Sequence, residues 1–225
     1  VTTNVIDMSG NTGGLVWAKG TTAQRPTGVA GDLRLNTTDS RLEYKDNADW
    51  KRFSEGSAAG PSVGVNFLVV AGGGGGCDGS IGGGGGAGGL RTSFGSTSGG
   101  GSSAESSLTL GLSTNYTVTV GGGGAYITNG QNSVFATITS LGGGHGRDTA
   151  IIGSNGGSGG GSGYNNSSTS SGTANQGFGG AGGNLSSSPA IGGGGGGAAE
   201  AGNTDAPGHG GDGVAVSITG SSVTY

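Results

Sequence analysis

Residues 67–76 read FLVVAGGGGG, an apolar pentapeptide running straight into five glycines. The first half has the composition of a buried strand. The second half has no side chain to bury, loses much conformational entropy on ordering, and carries backbone donors and acceptors that need partners once water is excluded. Extended helices of three residues per turn lack internal hydrogen bonds, but they can bond laterally when packed side by side, because only glycine permits so close an approach. The stretch therefore predicts a bundle of polyglycine II helices. A five-residue run would span roughly 15 Å at ~3.1 Å per residue.

Outward from this segment the same device recurs without a fixed period. The runs are IGGGGGAGG at 81–89, GGG at 99–101, GGGG at 121–124, GGG at 142–144, GGSGGGSG at 156–163, GGAGG at 179–183 and IGGGGGG at 191–197. Between them lie short apolar alternations, SLTLGL at 107–112, YTVTV at 116–120, SVFATI at 133–138 and GVAVSI at 213–218. These read as strands that pack as a small sheet at one end of the bundle. A flexible Gly/Ser linker is the competing reading, and the intervening strands argue against it.

Composition narrows the class. With 61 Gly and 4 Pro in 225 residues, a conventional helical or α/β enzyme domain is excluded. Leu, Ile, Val and Phe number 38 of 225, few enough to suggest disorder, but a net charge of −4 is too small for that state. Glycines in runs, and not at every third position, exclude collagen. Residues 1–64 hold 7 basic and 7 acidic side chains with 9 Gly, whereas residues 65–225 hold 2 basic and 6 acidic with 52 Gly. This contrast divides the chain into an N-terminal module at 1–53, a linker at 54–64 (SEGSAAGPSVG) and a glycine-rich domain at 65–225. The acidic, Lys-free C-terminal region offers no electrostatic footprint for nucleic acid or an anionic membrane. No apolar stretch approaches the ~20 residues of a membrane span, so membrane insertion is not expected. The first residue is Val1 and the last segment is GSSVTY, so the chain reads as a piece of a longer protein.

The N-terminal module shows another pattern. From Asp32 the sequence runs DLRLN, TTDS, RLEYK, DNAD, WKRF, three alternating runs separated by polar turns, which is the signature of a β-meander. Leu33 and Leu35 share one face opposite Arg34, Leu42 and Tyr44 flank Glu43 in the same way, and Trp50 opens the third run. Three strands of this length bury little by themselves. Leu33, Leu35, Leu42, Tyr44 and Trp50 are therefore expected to pack against other copies of the chain. Trp17 and Phe53 are expected in the same sheet-face or intersubunit packing. Arg25, Arg34, Arg41, Lys45, Lys51 and Arg52 are expected to form a solvated charged edge.

Candidate chemistry is sparse. Lys occurs only at 19, 45 and 51, so no glycine run ends as a phosphate-binding loop. GGSGG at 156–160 fits the spacing of a nucleophile elbow but lacks the flanking strand and helix. The single Cys77 permits no intrachain disulfide and reads as a buried or incidental thiol. His145 and His209 are the only histidines, and Asp148, Asp205 and Asp212 show no recognised ligand spacing. No catalytic residue, cofactor or metal is expected. Side-chain variety is confined to loops, which makes binding the better-supported role. Tyr164, Asn165, Asn166 and Phe178 offer aromatic and amide groups suited to sugars, and His145, Arg147 and Asp148 form a second candidate set.

Two resemblances follow from these motifs. GTTAQRPTGVAGDLRLNTTDSRLEYKDNADWKRF at 20–53 resembles a short β-module found repeatedly in bacteriophage tail fibres. It shares Gln24–Arg25–Pro26, Gly31–Asp32, Asn36–Thr37–Thr38, the L-E-Y run and the closing W-K, with Leu35 where an aromatic is common. Most of 66–225 is similar to a glycine-rich domain of phage tail-fibre and adhesin proteins, through FLVVAGGGGG, AGGLRT at 87–92, YTVTVGGGG at 116–124, NSVF at 132–135 and the GGDG-plus-apolar segment at 210–218. A glycine-rich extracellular domain of some receptor tyrosine kinases begins similarly, and this match is treated as convergence.

Together the resemblances imply a mainly β protein, with a short β-meander module that trimerises followed by a domain of β-strands and packed polyglycine II helices. They imply a non-enzymatic virion protein, a tail fibre contributing to host-cell attachment. Its partners would be itself as a homotrimer, other tail or virion proteins, and a bacterial surface glycan or outer-membrane protein. A fibre shaft without receptor-binding activity and a bacterial surface-matrix protein remain the alternatives.

Overall fold

The computed structural model describes residues 18–53, 61–78, 81–186 and 188–225. Trp17 and most of the expected linker, 54–60, lie outside the described residues. The chain divides into two compact units, Val1–Pro61 and Ser62–Tyr225. The described residues form short strands and two 3₁₀ turns, with no α-helix among them, so the protein is mainly β.

In the first unit, β1 (Ala18–Gly20), β2 (Leu33–Asn36), β3 (Arg41–Lys45) and β4 (Trp50–Arg52) form one sheet in the order β1-β2-β3-β4. β2 to β4 are the meander that the alternation predicts, and β1 adds a parallel strand. The carboxylate of Asp46 accepts the Ala48 and Asp49 N–H groups and closes the second turn. That turn pairs Lys45 with Trp50, which puts Trp50 on the face of Arg34 and Glu43 and not on that of the leucines.

The two faces exchange the roles expected of them. Arg34, Asn36 and Glu43 are buried under the segment that carries the 3₁₀ turn Thr22–Gln24. Glu43 accepts a forked pair of bonds from Arg25 at 3.2 and 2.5 Å and a third from Asn36 at 2.8 Å. The Arg34 guanidinium donates to the carbonyls of Gly20 and Thr21 and lies 5.6 Å from the centroid of Trp50. Trp50 is 8% exposed and donates its indole N–H to the Pro26 carbonyl, so its packing is intrachain, which corrects the expected intersubunit role. Arg25 and Arg34 likewise belong to an internal network around Glu43 and not to a solvated edge, while Lys51 and Arg52 do pair at the surface with Asp46 and Asp39. On the opposite face, Leu33, Leu42 and Phe53 are exposed and Leu35 and Tyr44 half-buried.

The second unit holds four small sheets in place of the single one expected. β5 (Ser62–Val65) pairs with β8 (Leu108–Gly111), so the last residues of the expected linker are strand. β6 (Leu68–Val70) pairs with β7 (Leu90–Thr92). β9 (Val118–Thr119), β10 (Ser133–Phe135) and β11 (Ile138–Ser140) form the order β11-β10-β9, and β12 (Ala215–Val216) pairs with β13 (Val223–Thr224). SVFATI thus contains a hairpin turn at Ala136, whose φ is 52°. Phe67 and Val69 pack with Ile138 in one cluster, while Leu68 and Val70 pack with Leu90, Val214 and Val216 in another. Burial on both faces explains why this strand is continuously apolar.

The glycine runs bond laterally to one another and to neighbouring loop segments. In the run 71–77, the N–H groups of Ala71, Gly74 and Cys77 donate to the carbonyls of Gly89, Gly86 and Gly83. Those of Gly72 and Gly75 donate to Gln131 and Thr128, and the carbonyls of Gly73 and Gly76 accept from Gly124 and Ile127. Each neighbour is met at every third residue, as three-residue-per-turn helices require. The run 82–89 repeats this, with Gly83, Gly86 and Gly89 donating to Arg147, Gly144 and Leu141, and Gly84 and Ala87 donating to Gly193 and Gly196. Packing is too close for side chains. A Cβ on Gly74 would lie 2.5 Å from the Gly144 carbonyl carbon and 2.8 Å from the Gly143 oxygen. Ser158 and Ser162 fit into the lattice because their hydroxyls are consumed by carbonyls.

Candidate functional site

With run interiors made of backbone, the exposed chemistry lies where loops leave the lattice. Of the residues expected to bind, Tyr164, Asn165 and Asn166 do come together, lining a depression of about 230 Å³ with Ser167 and the 183–186 turn. Asn166 is partly committed to its own loop, accepting from Ser168 N–H and donating to the Ala150 carbonyl. Phe178 does not line this depression; a Cβ on Gly101 would meet its ring at 3.2 Å, which places it beside a different concavity.

His145 is an internal latch and not a surface contact. It is 9% exposed, its Nδ1 lies 2.6 Å from Asn129 Oδ1, and Ser154 Oγ lies 3.0 Å from its Nε2. Asn129 Oδ1 also accepts the His145 backbone N–H, so Nδ1 carries the proton and Nε2 accepts from Ser154. This is the hydrogen-bond order of a nucleophile, base and orienting amide. None of these three residues lines the concave sites described here, and the trio ties two loops to the run 142–147. Burial, then the nearby Arg147, lowers the His145 pKa from its ordinary value. Arg147 and Asp148 follow it half-buried, and Arg147 continues the lattice through its N–H bond to the Gly161 carbonyl. Ser158, the centre of the elbow-like GGSGG, is fully buried and donates to the Gly88 and Gly197 carbonyls.

Glu200, Asp205 and Asp212 bring carboxylate oxygens within 4.8 Å of one another. They are the three oxygen donors that a hard cation could use.

The largest concavity described, about 750 Å³, is lined by Arg91, Ser102, Ser103, Glu105, Asn175 and Gln176, together with Gly101 and Ala174. Arg91 leaves β7 and forms a bidentate pair with Glu105 at 2.8 and 2.6 Å, while its Nη1 donates to the Thr139 carbonyl at 3.1 Å. Ser102 Oγ donates to Asn175 Oδ1 across the cleft, and Gln176 Oε1 accepts the Leu141 N–H at 2.7 Å. The bond with Glu105 raises the Arg91 pKa above its ordinary value, so its charge is permanent. None of these lining residues is among those expected from the sequence to bind. The available signal was that Arg91 is one of only two basic residues in 65–225.

A family model described as a glycine-rich domain matches residues 54–225, which contain the lattice, the cleft and the Tyr164 depression. The chain belongs to the glycine-rich domain family. No curated protein and no solved structure matches it. The four-stranded sheet at 18–52 falls outside the matched glycine-rich domain.

Proposed function

We propose that this chain is a non-enzymatic structural virion protein of a bacteriophage, a tail-fibre component that contributes to attachment at the host-cell surface. The observation that carries the reading is the uncovered apolar face of the N-terminal sheet, Leu33, Leu42 and Phe53, on a unit in series with a glycine-rich domain. A sheet this small gains most from covering such a face with copies of itself, as a homotrimeric fibre would do through Leu33, Leu35, Leu42 and Tyr44. The glycine lattice then serves as a rigid support whose loops meet the surface glycan or outer-membrane protein of the host, with other virion proteins as neighbours.

The test is binding of the fluorescently labelled chain to a panel of bacterial cells, with intact phage as competitor once a sensitive host is found. Saturable, phage-competed binding is the expected result. A folded trimer that binds no cell on which its phage grows would make the chain a shaft or connector.

A further inference from the structure

We propose that the cleft of Arg91, Ser102, Ser103, Glu105, Asn175 and Gln176 binds a neutral, hydroxyl-rich saccharide. The inference rests on the attachment reading and supplies its ligand class. A volume of about 750 Å³ accommodates a mono- or disaccharide. The lining is polar except for Gly101 and Ala174, so an apolar ligand would leave its donors and acceptors without partners.

The hydrogen-bond inventory identifies the ligand. Arg91 uses three of its five N–H groups, on Glu105 and the Thr139 carbonyl, and keeps two. Asn175 and Gln176 have their amide oxygens engaged, whereas neither amide nitrogen has a partner among the described residues. Glu105 accepts one bond at each oxygen and retains lone pairs, and Ser102 and Ser103 offer further oxygens. Donors and acceptors thus alternate around one cleft. Hydroxyls, which donate and accept at once, match such a lining. The bidentate pair cancels the local charge, so an anion would gain nothing from Arg91 that Glu105 does not oppose.

The rim is held before a ligand arrives. Gly100 and Gly101 have φ of 67° and 72°, and facing Asn175 has 64°. A Cβ on Gly100 would lie 3.1 Å from the Asn175 nitrogen, and the two turns are anchored by Gly100 N–H to the Ala198 carbonyl and Leu90 N–H to the Gln176 carbonyl. Backbone this constrained presents its side chains with little ordering left to do on binding.

The experiment is titration of the isotope-labelled full chain with glucose, galactose, N-acetylglucosamine and glucuronic acid, followed through the side-chain amide resonances of Asn175 and Gln176. We expect saturable shifts with a neutral sugar, at a Kd on the order of 1 mM. Asn175→Gly keeps the left-handed backbone and removes the amide, and it weakens that binding by about tenfold. Glu105→Gln releases the Arg91 charge and turns preference toward glucuronic acid. No shift with any neutral sugar, tighter binding of glucuronic acid by the parent, shifts confined to Tyr164–Asn166, or an Asn175→Gly chain that binds as the parent does would each overturn the proposal. Cell binding separates it from the attachment reading. Sugar binding without cell binding sinks attachment and leaves the cleft standing, whereas undiminished cell binding by Asn175→Gly removes the cleft from recognition and leaves attachment standing.

Discussion

Replacing Gly74 by Ala would push a methyl group into the backbone of the neighbouring run, 2.5 Å from the Gly144 carbonyl carbon and 2.8 Å from the Gly143 oxygen. Neither atom belongs to a side chain that can rotate away, so the runs must separate. They are joined there by Gly143 N–H to the Gly72 carbonyl and Gly146 N–H to the Gly75 carbonyl, both at 2.9 Å. Each buried bond broken without replacement costs about 1–3 kcal/mol, hence about 2–6 kcal/mol for the two. Ala recovers about 0.4–1 kcal/mol by restricting the unfolded chain, leaving a net loss of about 2–5 kcal/mol. At about 2–4 °C per kcal/mol for a unit of this size, calorimetry should record a fall in Tm of roughly 4–20 °C. Gly122 is the matched control, since a Cβ there meets no atom within 4 Å and its φ is not in the left-handed range. Gly122→Ala should leave Tm unchanged or raise it by a degree or two, on the order of the entropic gain alone. If the two variants melt together, close backbone packing is not what requires glycine in these runs.

Three further outcomes follow from the same geometry. Glu43→Gln leaves Arg25 and Arg34 facing a neutral amide in a buried site, and should destabilise the N-terminal unit by about 3 kcal/mol in denaturant titrations read through Trp50 fluorescence. In the parent, the Arg25 hydrogen bond above all holds the Glu43 pKa below its ordinary 4.5, so this stabilisation is complete above that value and drains away as pH falls through the lower folded one. His145 has the same sign by another cause: burial disfavours its charged form, so the glycine-rich domain should be most stable above pH 6.5 and lose stability below it, and His145→Gln should flatten that slope in pH-resolved melting. Leu42→Lys, at an exposed position, should change the stability of the isolated unit by about 0.5 kcal/mol or less yet, on the proposed homotrimeric reading, shift sedimentation equilibrium from trimer to monomer.

Much of this arrangement was legible because it is local. A glycine run preceded by FLVVA has few solutions, and the three-residue repeat of lateral bonds is the one that satisfies its backbone. The meander at 33–52 could be read from period-two alternation. The Tyr164–Asn166 cluster was legible for a similar reason, since consecutive loop residues stay together wherever the loop goes.

What sequence could not disclose depends on the order in which distant segments become neighbours. Trp50 changed faces because a four-residue turn, Asp46 to Asp49, set the pairing parity, and a shift of one residue exchanges the faces. Arg34 and Glu43 look like surface charges in a strand, and only the return of 20–26 across the sheet buries them with partners. The Arg91 cleft joins β7 to Glu105, 14 positions on, and joins Ser102 to Asn175 in a turn 73 positions beyond that serine. Composition alone therefore settled that this chain must bury backbone against backbone, because glycine leaves it nothing else to bury. Which side chains ended beside one another was decided by the lattice, since identical glycine runs carry no local signal of which neighbour each will bond.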